Sequence, residues 1–286
     1  MPDQHAVLSA SGAHRWLECT PSARLEELFK PETSDYAEEG TVAHSIAEIA
    51  ALFRTEQITM EQYNERLSKI KTSKWFNADM LDHCWAYADL VHDKWKRLKD
   101  ETGEATAMIE ARINFGKWVP GGFGTADCLI LADGQMEVID FKYGKGKRVD
   151  AYRNPQMRMY TLGAYNTHGL IYEVEHVTMT IFQPRISNGV TSDEITINEL
   201  LDWAENYVKP RAKLAYAGEG EFHPSAETCK FCRARSTCRA RAEENMKAFD
   251  EGPDVFLLSI EEAGKILGNS FALLLCSSLV LTVAGY

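Results

Sequence analysis

GTADCLILADGQMEVIDFK, residues 124–142, alternates apolar and polar residues, turns at Asp133-Gly134, and alternates again. An Asp-Gly pair between two such runs is the strongest short-range signal for a β-hairpin with a two-residue turn. With that turn Ala132 pairs with Gln135, and each further pair keeps the same sum of residue numbers. Asp127 then lies opposite Asp140, and Lys142 opposite Thr125. Directly opposed residues share a sheet face with Cβ atoms about 4.5–5.5 Å apart. Period two puts Lys142 on the face of Asp140, while Cys128 and Ile139 point the other way, towards the core. Two facing carboxylates destabilise a sheet unless a shared proton, a basic neighbour or a divalent cation neutralises them. Carboxylate oxygens suit a hard cation such as Mg²⁺ or Mn²⁺. On the hairpin alone, a surface face with Lys142 paired to one aspartate is the simpler reading.

Outward from the hairpin, the chain keeps switching period. ATAMIEARINF (105–115) reads as a strand before it, from which Glu110 could reach the aspartates, though a surface salt bridge with Arg112 or a neighbour is the favoured reading. NPQMRMYTLGAYNTHG (154–169) reads as a helix, with Asn154 as N-cap, Pro155 at the first position and Gly169 as the stop. EVEHVTMTIFQP (173–184) is a further strand and INELLDWAENYVKPRAKLAYAG (197–218) a further helix. On the N-terminal side, SASGAHRWLECTPSARLEELF (9–29) reads as helix interrupted by Pro21. In TVAHSIAEIAALF (41–53), Val42, Ile46, Ile49 and Phe53 form one helical stripe, with His44 off it and one turn before Glu48. Residues 54–105 read as a helical insertion of one or two amphipathic helices. The order is helix, three strands, helix, strand, and the fold class is α/β.

A chain of 286 residues can bury a substantial core, and its 45% hydrophobic and 26% charged residues are ordinary for a globular protein. The formal net charge of -11 repels phosphate in bulk, so any nucleic-acid role needs local basic patches. Two exist. Lys142, Lys145, Lys147, Arg148, Arg153 and Arg158 form one run, and Lys230, Arg233, Arg235, Arg239 and Arg241 the other. Without further support both are solvated charged faces. The start of the chain lacks a signal-peptide pattern, and seven unevenly spread cysteines argue for metal binding or core thiols rather than a disulfide framework. A cytoplasmic location is expected. The apolar run 270–286 falls short of the roughly 20 residues of a membrane helix and is expected to dock on the core, so no membrane is expected.

Together these motifs resemble the PD-(D/E)XK nuclease superfamily. Asp140-Phe141-Lys142 resembles its acid-x-lysine element, and Asp127 within GTAD its preceding acid. Gln156 and Tyr160, in QMRMY, match the Gln-x-x-x-Tyr motif of the RecB-type branch, and GTVAH its upstream Gly-x-x-x-His. The resemblance implies a restriction-endonuclease-like αβββαβ core over residues 1–250, with a mixed sheet flanked by helices. Residues 251–286 are left as an apolar tail without a role. It further implies a metal-dependent DNA nuclease, an exonuclease of phage or mobile-element recombination or DNA processing, with DNA as substrate and a recombination or helicase protein as partner. His44, Asp127 and Asp140 would hold Mg²⁺ or Mn²⁺, with the Phe141 carbonyl as a further oxygen. Lys142, Gln156 and Tyr160 complete the catalytic set, and Lys145, Lys147, Arg148 and Arg153 would track phosphates.

The cysteines extend the resemblance. Cys229-x-x-Cys232-x₅-Cys238 within 229–241, with Cys19 far upstream, resembles the iron–sulfur RecB-type nucleases such as AddB and the CRISPR-adaptation nucleases. That resemblance implies a [4Fe–4S] cluster on Cys19, Cys229, Cys232 and Cys238. Structural Zn²⁺ on the same four thiolates is the alternative, though zinc sites more often come as two close pairs. Cys84, Cys128 and Cys276 fit no ligand spacing. A non-catalytic, cluster- or zinc-stabilised nucleic-acid-binding protein with a vestigial nuclease site is the competing function.

Overall fold

The computed structural model describes residues 6–30 and 34–250. The apolar run 270–286, its docking role and Cys276 lie outside the described residues. Two short helices, α1 (Ala13–Trp16) and α2 (Ser22–Glu27), flank Pro21. Ser34 caps α3 (Asp35–Arg54) by accepting the Ala37 N–H. A capping box of Thr59 and Gln62 starts α4 (Met60–Ile70), and Asn77 caps α5 (Ala78–Thr102). Three strands follow: β1 (Ala105–Asn114), β2 (Phe123–Ala132) and β3 (Gln135–Phe141). Asn154 accepts the Gln156 and Met157 N–H groups to start α6 (Pro155–Ala164), which continues into a π-helical turn, Tyr165–Gly169. Next come β4 (His176–Phe182) and a strand the sequence reading did not contain, β5 (Val190–Thr196). The helix expected over 197–218 is divided into α7 (Ile197–Trp203), a π turn (Ala204–Val208) and α8 (Lys209–Ala217). Its Pro210 has no N–H to donate and would clash one turn back in a regular helix. Short α9 (Ala226–Cys229) and α10 (Arg239–Asp250) follow.

The five strands form one mixed sheet in the order β1-β2-β3-β4-β5. The hairpin register is the expected one from Ala132↔Gln135 to Cys128↔Ile139. There β3 leaves β2, so Lys142 does not pair with Thr125, whose partner is Arg112 of β1. The Asp127 carboxylate takes over from the ladder, and its Oδ2 accepts the Phe141 N–H at 2.7 Å. β3 and β4 run parallel, which requires a crossover, and α6 makes it.

Both faces of the sheet are buried. Leu129, Leu131, Met136 and Val138, on the face of the two aspartates, pack with Met157 and Leu162 of α6. Cys128, Ile130, Ile139 and Phe141 pack with α3, α4 and α5. On that second face Glu137 is buried and paired with Lys94 (2.8 Å) and Arg97, which ties α5 to β3. Among the described residues no helix is long and apolar enough to cross a membrane.

Candidate active site

The end of β3 carries the site because there the strand departs from β2 and the sheet face opens. His44, two turns into α3, brings Nδ1 to 3.4 Å from Asp127 Oδ1 and packs edge-on against Phe141, centroids 5.3 Å apart. Asp140 is buried and receives Lys142 Nζ on Oδ1 at 3.2 Å. Gln156, in the first turn of α6, donates to Asp140 Oδ1 (3.2 Å) and to Tyr160 Oη (3.0 Å), and its Oε1 accepts from Lys142 (3.2 Å). The sequence-predicted His44, Asp127, Asp140, Lys142, Gln156 and Tyr160 are thus gathered at one end of the sheet.

The ligand atoms converge differently from expectation. The group whose donor atoms all lie within 4.8 Å of one another is His44, Glu110 and Asp127, with Asp140 beside it in its pair with Lys142. The sequence reading assigned Glu110 to a surface salt bridge, but it has no ion pair among the described residues. Its backbone sits at φ 52° in the middle of β1, where Ile109 and Ala111 are paired to β2. Between those two pairs Glu110 falls opposite Asp127, on the same face of the sheet. The strand position already let Glu110 reach the site, and the missing signal was that it would lack an ion pair among the described residues.

Electrostatics agree with a site lacking one positive charge. Burial, then Asp127 and Glu48, push the Glu110 carboxyl up to about 7. Burial opposes charge on His44, yet the hydrogen bond to Asp127 raises its pKa. Burial likewise raises Asp140, while the Lys142 ammonium, itself held protonated by Asp140 against burial, pulls it down. Asp140 Oδ2 is buried and accepts no hydrogen bond, although Lys142 Nζ lies 3.0 Å away. An imidazole, carboxylates from two strands and one orphaned carboxylate oxygen fit a hard divalent cation.

The loop from Tyr143 to Asn154 passes beside this site and is fastened along its backbone. Gln183 donates to the Gly144 and Lys147 carbonyls and accepts the Val149 N–H. Thr191 and Asp193, both on β5, accept the Ala151 and Arg153 N–H groups. Lys145 and Arg148 are exposed and unpaired among the described residues, whereas Lys147 pairs with Glu227. The Arg153 guanidinium lies over the exposed Tyr152 ring. Of the four expected phosphate contacts, Lys147 is therefore the one tied up in an ion pair among the described residues.

Cys19, Cys229, Cys232 and Cys238 line one pocket, together with Arg15 and Arg235. Glu26 ties the segments on either side of the pocket together: it pairs with Arg15 at 2.7 Å and accepts the Arg233 N–H at 2.7 Å. Cys84 and Cys128 are buried thiols of the α3–α5 layer.

Fold and site together define an α/β protein with a mixed five-stranded sheet, flanking helices and a histidine–carboxylate pocket able to hold a divalent cation. Residues 5–274 match the family described as "Protein of unknown function (DUF2800)", and the chain belongs to that family. Among solved structures it is similar to the alkaline exonuclease LHK-Exo of Laribacter hongkongensis, at 14% identity over 61% of this chain and 87% of that one, TM-score 0.28. LHK-Exo in complex with dAMP matches at 16% identity over 63% and 93% of the two chains, TM-score 0.28. A protein of Eubacterium rectale assigned as an exonuclease matches at 13% identity over 88% and 91%, TM-score 0.36. What the site can do follows from this chain's own side chains.

Proposed function

We propose that this chain is a Mg²⁺- or Mn²⁺-dependent deoxyribonuclease of the RecB-type PD-(D/E)XK kind, an exonuclease of phage or mobile-element recombination or DNA processing. The carrying observation is the convergence of His44, Glu110 and Asp127 on one point, with the Asp140–Lys142 pair and Gln156 beside it. His44, Glu110 and Asp127 would hold the cation, with Asp140 Oδ2 as a further oxygen. When bound, a divalent cation supplies a water of lowered pKa and stabilises charge on a scissile phosphate. Lys142, kept cationic by Asp140, can donate to a phosphate oxygen as negative charge develops there. Gln156 fixes the direction of that lysine and hands its other end to Tyr160. Lys145 and Arg148 offer phosphate contacts that the acidic chain as a whole does not.

A four-thiolate centre belongs to the same reading, because the four cysteines line one pocket that two arginines also face. A tetrahedral zinc site with Zn–S bonds of about 2.3 Å needs sulfurs roughly 3.8 Å apart. Among the described residues no three of these sulfurs lie within 4.8 Å of one another. That spacing supports neither centre, and [4Fe–4S] is preferred to zinc on the cysteine pattern alone, one distant cysteine plus three.

End-labelled linear duplex and single-stranded DNA, incubated with Mn²⁺, Mg²⁺ or chelator, tests the activity. Digestion is expected with either metal and not with chelator. Asp140→Asn and Lys142→Ala should each lose at least about 100-fold in rate, the scale of losing one transition-state contact, with unchanged circular dichroism. Wild-type protein that binds DNA but cleaves neither substrate with Mn²⁺ overturns the reading in favour of a vestigial site.

A further inference from the structure

Tyr87, on α5, is completely buried, yet its hydroxyl has no hydrogen-bond partner among the described residues. An unsatisfied buried hydroxyl is costly, and phenylalanine would fill the same space without that cost. The position is not remote from the site. The Tyr87 ring packs on Phe141, centroids 5.0 Å apart, and Phe141 is also the ring against which His44 rests. The Phe141 N–H is the one held by Asp127. Tyr87, Phe141 and His44 therefore form a single packed group behind the cation pocket. Burial, ahead of the neighbouring acidic groups, holds the phenol protonated, so it acts as a donor.

We propose that Tyr87 is a positioning residue of the cation pocket, its hydroxyl donating a hydrogen bond to an oxygen bound to the cation. The inference rests on the cation reading above and adds α5, which carries none of the nuclease-like motifs, to the parts that shape the site. It also gives a reason for tyrosine at a position where every other contact is made by the ring.

Tyr87→Phe removes one oxygen and keeps the ring. Thermal unfolding of the cation-free protein and calorimetric titration with Mn²⁺ read the two halves of the proposal separately. The variant is expected to melt, without cation, at the wild-type temperature or above it, and to bind Mn²⁺ about two- to tenfold more weakly, the range of one hydrogen bond. Tyr63→Phe is the control: its hydroxyl is also buried and unpartnered among the described residues, but it packs on Phe53 and Trp85. Its Mn²⁺ affinity should not change. Unaltered Mn²⁺ affinity in Tyr87→Phe, or an equal loss in Tyr63→Phe, overturns the proposal. So does a lower cation-free melting temperature, because the hydroxyl then has a partner without the cation. Wild-type protein that binds no Mn²⁺ overturns the cation reading and this inference with it. Binding lost in Asp127→Asn but intact in Tyr87→Phe overturns the role of Tyr87 alone.

Discussion

Glu110 holds a conformation that side chains other than Gly, Asn and Asp rarely adopt, at φ 52° inside a strand. Such a residue costs roughly 1–2 kcal/mol, and its carboxylate lies with His44 and Asp127. Glu110→Gly should therefore be more stable than Glu110→Ala by about 1 kcal/mol, read as a difference in denaturant midpoint. Both should bind Mn²⁺ more weakly than wild type. The charge of Glu110 leaves a second signature. Its carboxyl rises from an ordinary 4.5 to about 7 in the fold, so its contribution to stability is full below 4.5 and is lost as pH rises through about 7. Cation-free wild type should lose melting temperature across that window more steeply than Glu110→Gln, and Mn²⁺ should remove the difference. Asp127, Asp140 and Lys142 were legible because an Asp-Gly turn and period two put them at one end of one face, although the ladder ends at Cys128↔Ile139, before the pairs that counting gave them. Glu110 was legible as able to reach the site, but nothing in ATAMIEARINF distinguishes a salt-bridged glutamate from a strained one, and the sequence favoured the salt bridge.

At the level of elements, the site depends on how closely α6 approaches the sheet. A Cβ on Gly163 would lie 2.9 Å from the Ile113 Cβ and 3.3 Å from the Asn114 nitrogen, so this helix and β1 meet with no room for a methyl group. Gly163→Ala should cost about 1–3 kcal/mol, the usual price of overpacking, measured by chemical denaturation. Gln156 and Tyr160 ride on the same helix, so the rate should fall along with stability. The α6 boundaries were readable from Asn154 and Pro155, whose chemistry is local. The fifth strand was not. VTSDEIT (190–196) is short and polar, and it is a strand only because β4 offers an unpaired edge. That strand fastens the basic loop through Thr191 and Asp193, so an element invisible in the sequence positions residues that were visible in it.

Across the whole molecule, the segment around Cys19 meets the segment 229–238 at the four-cysteine pocket, where Cys19 is brought to Cys229, Cys232 and Cys238. Protein purified without oxygen should be brown and contain iron, and Cys229→Ser should abolish the colour and lower the melting temperature. Colourless wild-type protein carrying zinc instead would overturn the cluster. The three clustered cysteines are recognisable from spacing, whereas the distant fourth needs the two segments to be folded together.

The sequence by itself determined the hairpin register from Ala132↔Gln135 to Cys128↔Ile139, the identity of the two aspartates and their lysine, the cap of α6 and the order of helix, three strands, helix and strand. Each of these is set by period, turn chemistry or neighbours a few residues away. Only the tertiary structure decided that Glu110 rather than Asp140 completes the tightest ligand group, that Lys147 of the basic loop is tied up in an ion pair, and that Tyr87 stands unpartnered among the described residues behind the pocket. Those outcomes depend on which groups long-range packing buries together and on which charges it leaves without a partner, quantities that no local pattern encodes.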